Sequence, residues 1–204
     1  KKLEKHDHVM MQLEDGRRVI YRDPRRFGLM TLVSENALKE HSLLSHLGPE
    51  PLEKEFNATY LKSALEARTG SIKAALMDQE LVVGVGNIYA SEALHLTGIH
   101  PLTKARDAAP AADKLVLAIR KVLKEAIASG GSSLKDFVHI SGDSGYFQHQ
   151  FLVYDKENMP CKKCKNVIKN IHIAGRSSYF CPKCQPNGTI KRIKMQQKTD
   201  KTHL

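Results

Sequence analysis

The sequence predicts an α+β chain in which strands come first, helices follow and a metal-binding hairpin comes last. Three observations support this fold class. A turn dipeptide, Asp15-Gly16, separates two strand-forming runs. Apolar residues recur at helical spacing from about residue 57 onward. All four cysteines fall into two Cys-x-x-Cys pairs near the end of the chain.

The first segment has the pattern of a β-hairpin. The runs 8–13 and 18–21 are rich in residues that favour strands, and Asp-Gly between such runs is a strong turn signal. A polar stretch, 23–28, follows, and an extended pattern resumes over 29–33. Because two or three strands cannot bury both faces of a sheet, this segment resembles a remnant of a larger sheet.

The middle of the chain is predicted to form a helical domain over residues 57–137. One helix is expected from about Asn57 and a second over 72–77, while glycines at 84 and 86 lead into a third that Gly98 ends. The longest helix is expected from Pro110 to Ser129. Its buried stripe is predicted to contain Leu115, Ile119, Val122, Leu123 and Ala126.

The cysteines predict one structural zinc ion, with Cys161, Cys164, Cys181 and Cys184 as its ligands. Sixteen residues separate the two pairs, which is the spacing of two turns on facing hairpin strands. Two disulfides or a redox-active pair are the alternatives, but two turns of identical form favour a metal in a reducing compartment. Four thiolates leave no open coordination position, so we expect the zinc to hold a fold rather than catalyse a reaction.

Positive charge is concentrated at the end of the chain. The net charge is +10, and residues 155–204 hold twelve Lys or Arg against three Asp or Glu. Such a patch is typical of nucleic-acid binding, although a solubilising terminus is the alternative. No apolar run is long enough to span a membrane, and we expect a cytoplasmic protein.

The segment Gly84-Val85-Gly86-Asn87 predicts an anion site. Glycines let the backbone approach a ligand closely, and a helix start directs free N–H groups at a phosphate. The segment lacks the third glycine of a dinucleotide-binding motif, which excludes that interpretation. A tight turn with an Asn cap is the structural alternative.

Five motifs occur in an order that resembles bacterial formamidopyrimidine-DNA glycosylase, over roughly residues 3–185. They are Lys5-His6-Asp7-His8-Val9, Asp23-Pro24-Arg25-Arg26-Phe27-Gly28, the Ile72–Glu92 block that contains Gly84-Val85-Gly86-Asn87-Ile88-Tyr89, the Gly145-Tyr146-Phe147 turn, and the four-cysteine hairpin. The resemblance implies base-excision repair of oxidised purines such as 8-oxoguanine and formamidopyrimidines. The family flips the damaged nucleotide out of duplex DNA, cuts its glycosidic bond through a Schiff base and nicks the strand by β,δ-elimination.

The resemblance also implies a domain arrangement. Residues 1–50 would be the remnant of an N-terminal β-sandwich and a linker, and 51–150 a helix-two-turn-helix domain with a lesion-recognition loop. Residues 151–185 would be the C-terminal zinc-finger β-hairpin, and 186–204 a disordered basic tail. We expect a monomer once the sandwich is complete.

Individual residues acquire roles from the same resemblance. Arg25 and Phe27 would fill the gap left by the flipped base, where a guanidinium can pair with the estranged cytosine and a ring can replace lost stacking. Phosphate contacts are implied for His6, Arg68, Lys73, Asn87, Tyr89 and Arg176. Arg176 is also implicated in δ-elimination. The segment 140–145 would close over the flipped base, and a plain surface connection is the alternative.

The resemblance leaves the activity of this chain open. The family's nucleophile is the amine of an N-terminal proline, followed by a glutamate and later by a catalytic lysine, and that stretch is not found in this sequence. We therefore expect the 204 residues alone to form no borohydride-trapped complex with 8-oxoguanine DNA. The alternatives are a fragment of an active glycosylase, an inactive module that binds damaged DNA, and a zinc-ribbon protein that contacts RNA or protein.

Overall fold

The computed structural model describes residues 3–131 and 147–188. These residues belong to two compact units, one running from Lys1 to Ser45 and the other beginning at His46. The predicted base-covering segment 140–145 and the basic residues from 189 onward lie outside the described residues. No helix in the described ranges is both long and apolar enough to cross a membrane.

The first unit contains the predicted hairpin. Strand β1 (Asp7–Gln12) pairs antiparallel with β2 (Arg18–Arg22), and Gly16 adopts the left-handed conformation in the turn between them. A short 3₁₀ helix, Glu35–Glu40, follows. The extended pattern over 29–33 forms no strand among the described residues, because nothing there supplies it with a backbone partner. Within this unit most residues of both strands are exposed.

Five α-helices and a hydrophobic core make up the helical part of the second unit. The helices are α1 (Ala58–Glu66), α2 (Ile72–Leu76), α3 (Asn87–Thr97), α4 (Ala105–Ala108) and α5 (Ala112–Ala128). Side chains cap two of the N-termini, because Asn57 Oδ1 accepts the N–H of Tyr60 and Ser71 Oγ accepts that of Ala74. Gly98 ends α3 in the left-handed conformation, as the sequence predicts.

Helix α5 packs along α3 and α1 through the predicted apolar stripe, and every member of that stripe is buried. The helix begins two residues later than predicted. Pro110 lies in a separate 3₁₀ turn, Ala109–Ala111, because a residue without an N–H cannot extend the helical bonding of α4 through this point. Arg120 of α5 donates to the carbonyl oxygens of Pro51, Glu53 and Phe56, which fastens the segment before α1 onto the bundle.

The second unit ends in a two-stranded hairpin. Strand β3 (Lys169–Ile173) pairs antiparallel with β4 (Arg176–Phe180), and Ile173 lies opposite Arg176. The two turn residues, Ala174 and Gly175, both have positive φ, which suits a tight turn that follows the twist of the strands. Arg176 therefore stands beside the tip of the hairpin, at the opposite end from the cysteines.

Buried polar contacts attach the hairpin to helix α3. The Glu92 carboxylate accepts the backbone N–H groups of Leu152, Val153 and Tyr154 at 2.7–3.0 Å. A chain of ring contacts also runs from α3 to β4, each between neighbours whose centroids lie 5.1–6.0 Å apart. The rings belong to Tyr89, Phe147, Phe151, Tyr154 and Tyr179. The helices and the hairpin are thus joined by both polar and aromatic packing.

Candidate nucleic-acid interface and metal centre

The four cysteines converge on one point. Their sulfur atoms all lie within 4.8 Å of one another, with Cys161 Sγ 3.9 Å from Cys184 Sγ and Cys164 Sγ 3.4 Å from Cys181 Sγ. A tetrahedral zinc ion with Zn–S bonds of about 2.3 Å places its sulfurs roughly 3.8 Å apart, so the arrangement fits Zn²⁺. The two knuckles are built alike, because Lys165 N–H donates to Cys161 O and Gln185 N–H donates to Cys181 O.

The environment of the thiols also favours a bound cation. Burial raises the pKa of the Cys181 and Cys184 thiols, whereas the backbone N–H of Asn166 lowers the pKa of Cys164 to about 7. Four thiolates this close together repel one another and need a compensating positive charge. A zinc ion supplies that charge, and its four ligands close the coordination shell.

Gln185, directly after the last cysteine, fastens the metal centre to the end of helix α3. Its side chain is fully buried, and Nε2 donates to Ile99 O at 2.9 Å. Oε1 then accepts the Cys181 N–H at 3.0 Å and lies 3.1 Å from His95 Nδ1. A lone glutamine beyond a motif carries no recognisable signal, so the sequence did not indicate a role for this residue.

A cleft of about 500 Å³ lies where the start of α3 meets the tip of the hairpin. It is lined by Ala74, Met77, Asp78, Gln79, Gly86, Asn87, Ala174 and Arg176. Gly86 is the N-cap of α3 and supplies no side-chain cap, so the first turn of the helix presents backbone N–H groups. Asn87 is the first helical residue rather than the cap, which rules out the Asn-cap alternative.

The local backbone brings this helix start into position. Gly84 has a φ of +73°, a conformation that strains most other residues, and its N–H donates to Gln79 Oε1 at 3.0 Å. The turn therefore presents the start of α3 to the cleft. Because a helix N-terminus attracts anions, the cleft is suited to a phosphate group.

Lys73 lies beneath the cleft wall rather than in the cleft. Its side chain is completely buried, and Nζ donates to Asn87 Oδ1 at 2.6 Å and to Ser178 Oγ at 3.2 Å. Burial lowers the pKa of Lys73 to about 8, since its hydrogen-bond acceptors in the described residues are uncharged. The direct phosphate contact implied by the family remains a prediction, and in this structure Lys73 contacts the residues of the cleft wall instead.

Two other predicted phosphate-contacting residues are engaged with protein groups. Arg68 donates to Ala64 O and forms an ion pair with Asp78, at 3.2 Å from Nη2 to Oδ2. This ion pair offsets the negative charge of a carboxylate on the cleft wall. The ring of Tyr89 packs against Phe147, with their centroids 6.0 Å apart. Their phosphate contacts remain predictions.

The remaining predicted residues belong to the first unit. The Asp23 carboxylate accepts the backbone N–H groups of Arg25, Arg26 and Gly28, and the bond from Gly28 contributes most to lowering the pKa of Asp23. The loop presents Phe27 with 89% of its surface exposed, and Arg25 is also exposed. His6 precedes β1 and accepts the Asp23 N–H with its backbone carbonyl. The sequence did not indicate that Asp23 organises this loop.

Zinc removal should unfold the hairpin. We expect one zinc ion per chain in purified, reduced protein and its loss in Cys164→Ser, because folding and metal binding share one free energy in such small sites, about 10–16 kcal/mol for a structural zinc. Metal analysis and circular dichroism would measure both effects. Lys163→Ser, a change at the exposed neighbour that is not a ligand, should keep the zinc. Purified, reduced protein without zinc would contradict the assignment.

The buried Lys73 should give stability a distinctive pH dependence. Its folded pKa of about 8 lies below the ordinary value of 10.5, so the folded state binds fewer protons than the unfolded state in that window. Burying the charged ammonium lowers the free energy of unfolding by about 3 kcal/mol below pH 8. This cost disappears as the pH rises towards 10.5.

The free energy of unfolding, measured with denaturant, should therefore rise with pH from 8 to 10 more steeply for the native chain than for Lys73→Met. Groups common to both proteins cancel in that difference. For Lys62→Met, at an exposed position on α1, the difference in unfolding free energy from the native chain should stay constant over the same pH range. A pH-independent difference for Lys73→Met would mean that burial does not shift this pKa.

Comparisons with known proteins match both parts of the second unit. The H2TH domain model of formamidopyrimidine-DNA glycosylase matches residues 47–138, and a model described as a zinc finger found in FPG and IleRS matches residues 160–187. Both matches agree with the helices and with the four-cysteine hairpin. The predicted zinc-finger hairpin and its single metal site are thus confirmed.

Individual related proteins extend this likeness. Formamidopyrimidine-DNA glycosylase of Azorhizobium caulinodans is 51% identical over 189 residues, which cover 88% of this chain and 64% of that protein. The Legionella pneumophila (strain Lens) protein of the same name is 46% identical, over 90% of this chain and 67% of that protein. The chain thus spans about two thirds of the length of these relatives.

Solved structures of two related proteins have the same fold as this chain. The crystal structure of MutM (Fpg) from Thermus thermophilus superposes with a TM-score of 0.84 at 39% identity, covering 92% of this chain and 71% of that one. Lactococcus lactis Fpg in complex with DNA that contains an abasic site superposes with a TM-score of 0.83 at 36% identity, covering 91% and 68%. With these identities and coverages, the chain belongs to the formamidopyrimidine-DNA glycosylase family.

Proposed function

We propose that this protein binds the phosphate backbone of damaged duplex DNA in the cleft between the start of α3 and the tip of the hairpin. The observation that carries the proposal is the convergence of two positive features on that cleft. They are the open N-terminus of α3 and the exposed side chain of Arg176. Such donors suit a phosphodiester, which has several acceptor oxygens and a negative charge.

We assign the predicted contacts to two groups of residues. Asn87 and Arg176 would contact the strand from the cleft, with Arg68, His6 and Tyr89 as further phosphate contacts. Arg25 and Phe27 would replace the extruded base from the loop of the first unit, whose exposed ring supports that role. The solved relatives from Lactococcus lactis hold DNA that contains Fapy-dG or an abasic site, which supports the choice of damaged duplex as ligand.

We also propose that the natural protein, of which this chain is all or part, excises oxidised purines and nicks the strand. Family membership supports this activity, and Arg176 would assist δ-elimination. The protein would then work in the bacterial cytoplasm, where the chromosome lies. An inactive protein that binds damaged DNA is the alternative, and an assay of strand cleavage on 8-oxoguanine duplex by the natural protein distinguishes them. Cleavage supports the enzyme, and tight binding without cleavage supports the alternative.

The salt dependence of DNA binding tests the cleft directly. The logarithm of affinity for an abasic-site duplex should fall linearly with the logarithm of salt concentration, with a slope of about −0.9 for each phosphate neutralised. Arg176→Ala should weaken binding and make the slope shallower by roughly one unit, because one phosphate contact is lost. Fluorescence anisotropy at several salt concentrations would measure both quantities.

Lys163→Ala is the matched control for this measurement. It removes one positive charge, as Arg176→Ala does, but from the cysteine end of the hairpin. The five-residue strand β4 puts that end about 17 Å from Arg176. This variant should retain the slope of the native chain. Equal effects of the two substitutions would show that general positive charge, rather than the cleft, determines binding, and an affinity independent of salt would remove the phosphate-binding proposal.

A further inference from the structure

The ammonium group of Lys73 and the backbone carbonyl of Ser177 together determine how the Asn87 amide faces. An ammonium nitrogen only donates hydrogen bonds, so the atom of Asn87 that lies 2.6 Å from Lys73 Nζ must be the carbonyl oxygen, Oδ1. The opposite side of the amide lies 3.0 Å from the backbone carbonyl of Ser177, which only accepts, so that atom must be Nδ2. Two independent partners therefore require the same orientation.

This orientation decides what Asn87 offers to a ligand. An amide nitrogen carries two N–H groups, and within the described chain one of them is used by Ser177. Asn87 also lines the cleft, so the second N–H is available to an acceptor there. With the amide rotated by half a turn, the same position would present a carbonyl oxygen, which repels a phosphate. The orientation of the amide thus decides whether Asn87 attracts or repels a phosphate in the cleft.

Lys73 also contacts the strand that carries Arg176. Its Nζ donates to Ser178 Oγ at 3.2 Å, and the Ser178 hydroxyl donates to the backbone carbonyl of Arg176 at 3.3 Å. One buried side chain on α2 therefore joins the first residue of α3 to the first residue of β4. Both of these residues line the cleft.

We propose that Lys73 is a positioning residue that presents the Asn87 N–H to a DNA phosphate. The inference rests on the proposed function, since it concerns the same cleft. It assigns Lys73 a role that acts through Asn87 and needs no contact between Lys73 and DNA. Its complete burial agrees with such a role, because the hydrogen bonds of Nζ go to Asn87 and Ser178.

A double-mutant cycle on DNA affinity tests the proposal. Lys73→Met has a similar length and no donor, and it should weaken binding of an abasic-site duplex by about tenfold or more, the effect expected for a hydrogen bond to a charged group. Asn87→Ala should weaken binding as well. The variant with both substitutions should bind as Asn87→Ala does, within about twofold, because Lys73 acts through the amide that is already missing.

Two results of the cycle would overturn the proposal. If the losses of affinity multiply, Lys73 acts independently of Asn87, for example through its charge. If Lys73→Met binds like the native chain, Lys73 has no role in binding. Failure of the proposed function is a separate result, because the native chain itself would then bind no DNA. Zinc content and circular dichroism of each variant would establish that the fold is retained.

Asn87→Asp keeps the inference testable if Lys73→Met does not fold. A carboxylate loses the bond to Ser177 O, but it retains an acceptor for Lys73 and gains an ion pair with it that offsets this loss, so the fold should persist while both N–H groups are absent. This variant should bind DNA more weakly than Asn87→Ala, because a carboxylate then faces the phosphate. Binding equal to that of the native chain would show that the Asn87 N–H does not contact the ligand.

Discussion

The position of the hairpin on helix α3 depends on one buried carboxylate. Glu92 accepts three consecutive backbone N–H groups, those of residues 152–154, in the segment that leads into the metal centre. A single carboxylate therefore satisfies donors that would otherwise be buried without partners, and each such donor would cost about 1–3 kcal/mol. The zinc site, the strand that carries Arg176 and the far wall of the cleft all follow from where this segment is held.

The metal centre and the cleft proposed to bind DNA are connected through this attachment. Zinc holds the two knuckles together, Gln185 joins the second knuckle to the end of α3, and Lys73 joins β4 to the beginning of the same helix. The hairpin is therefore held against both ends of α3. Such a connection allows a metal ion that would itself touch no DNA to determine the geometry of a cleft some distance away.

The sequence was most informative where short motifs carry the chemistry. Two Cys-x-x-Cys pairs predict the metal centre, and the glycines before Asn87 predict an open helix start, because local spacing alone determines these features. The Asp15-Gly16 turn and the buried stripe of α5 were also predicted correctly. By contrast, the pattern over 29–33 indicated a strand that the described residues do not form, since a strand needs a partner that its own residues cannot specify.

The contacts that hold these motifs together could not be predicted. Glu92 contacts a segment about sixty residues away, and Lys73 contacts Ser178 across more than a hundred. Single polar residues at such separations have no periodicity, so each looks like an ordinary surface charge. The burial of Lys73 differs most from expectation, because lysine is almost never fully buried without a charged partner.

The Asp23 loop has a consequence for the free protein. One carboxylate holds three N–H groups, and a Cβ at position 28 would overlap the Tyr21 hydroxyl, so a larger residue there would have to displace the Tyr21 ring. The backbone on either side of Phe27 is therefore held in place while the ring stays in water, at a cost of about 2–3 kcal/mol that full burial would recover. In the role proposed for Phe27, little backbone entropy would remain to be lost when the ring enters a gap between bases. The unfavourable hydration of one exposed ring would then supply, before any DNA is present, part of the free energy that base replacement requires.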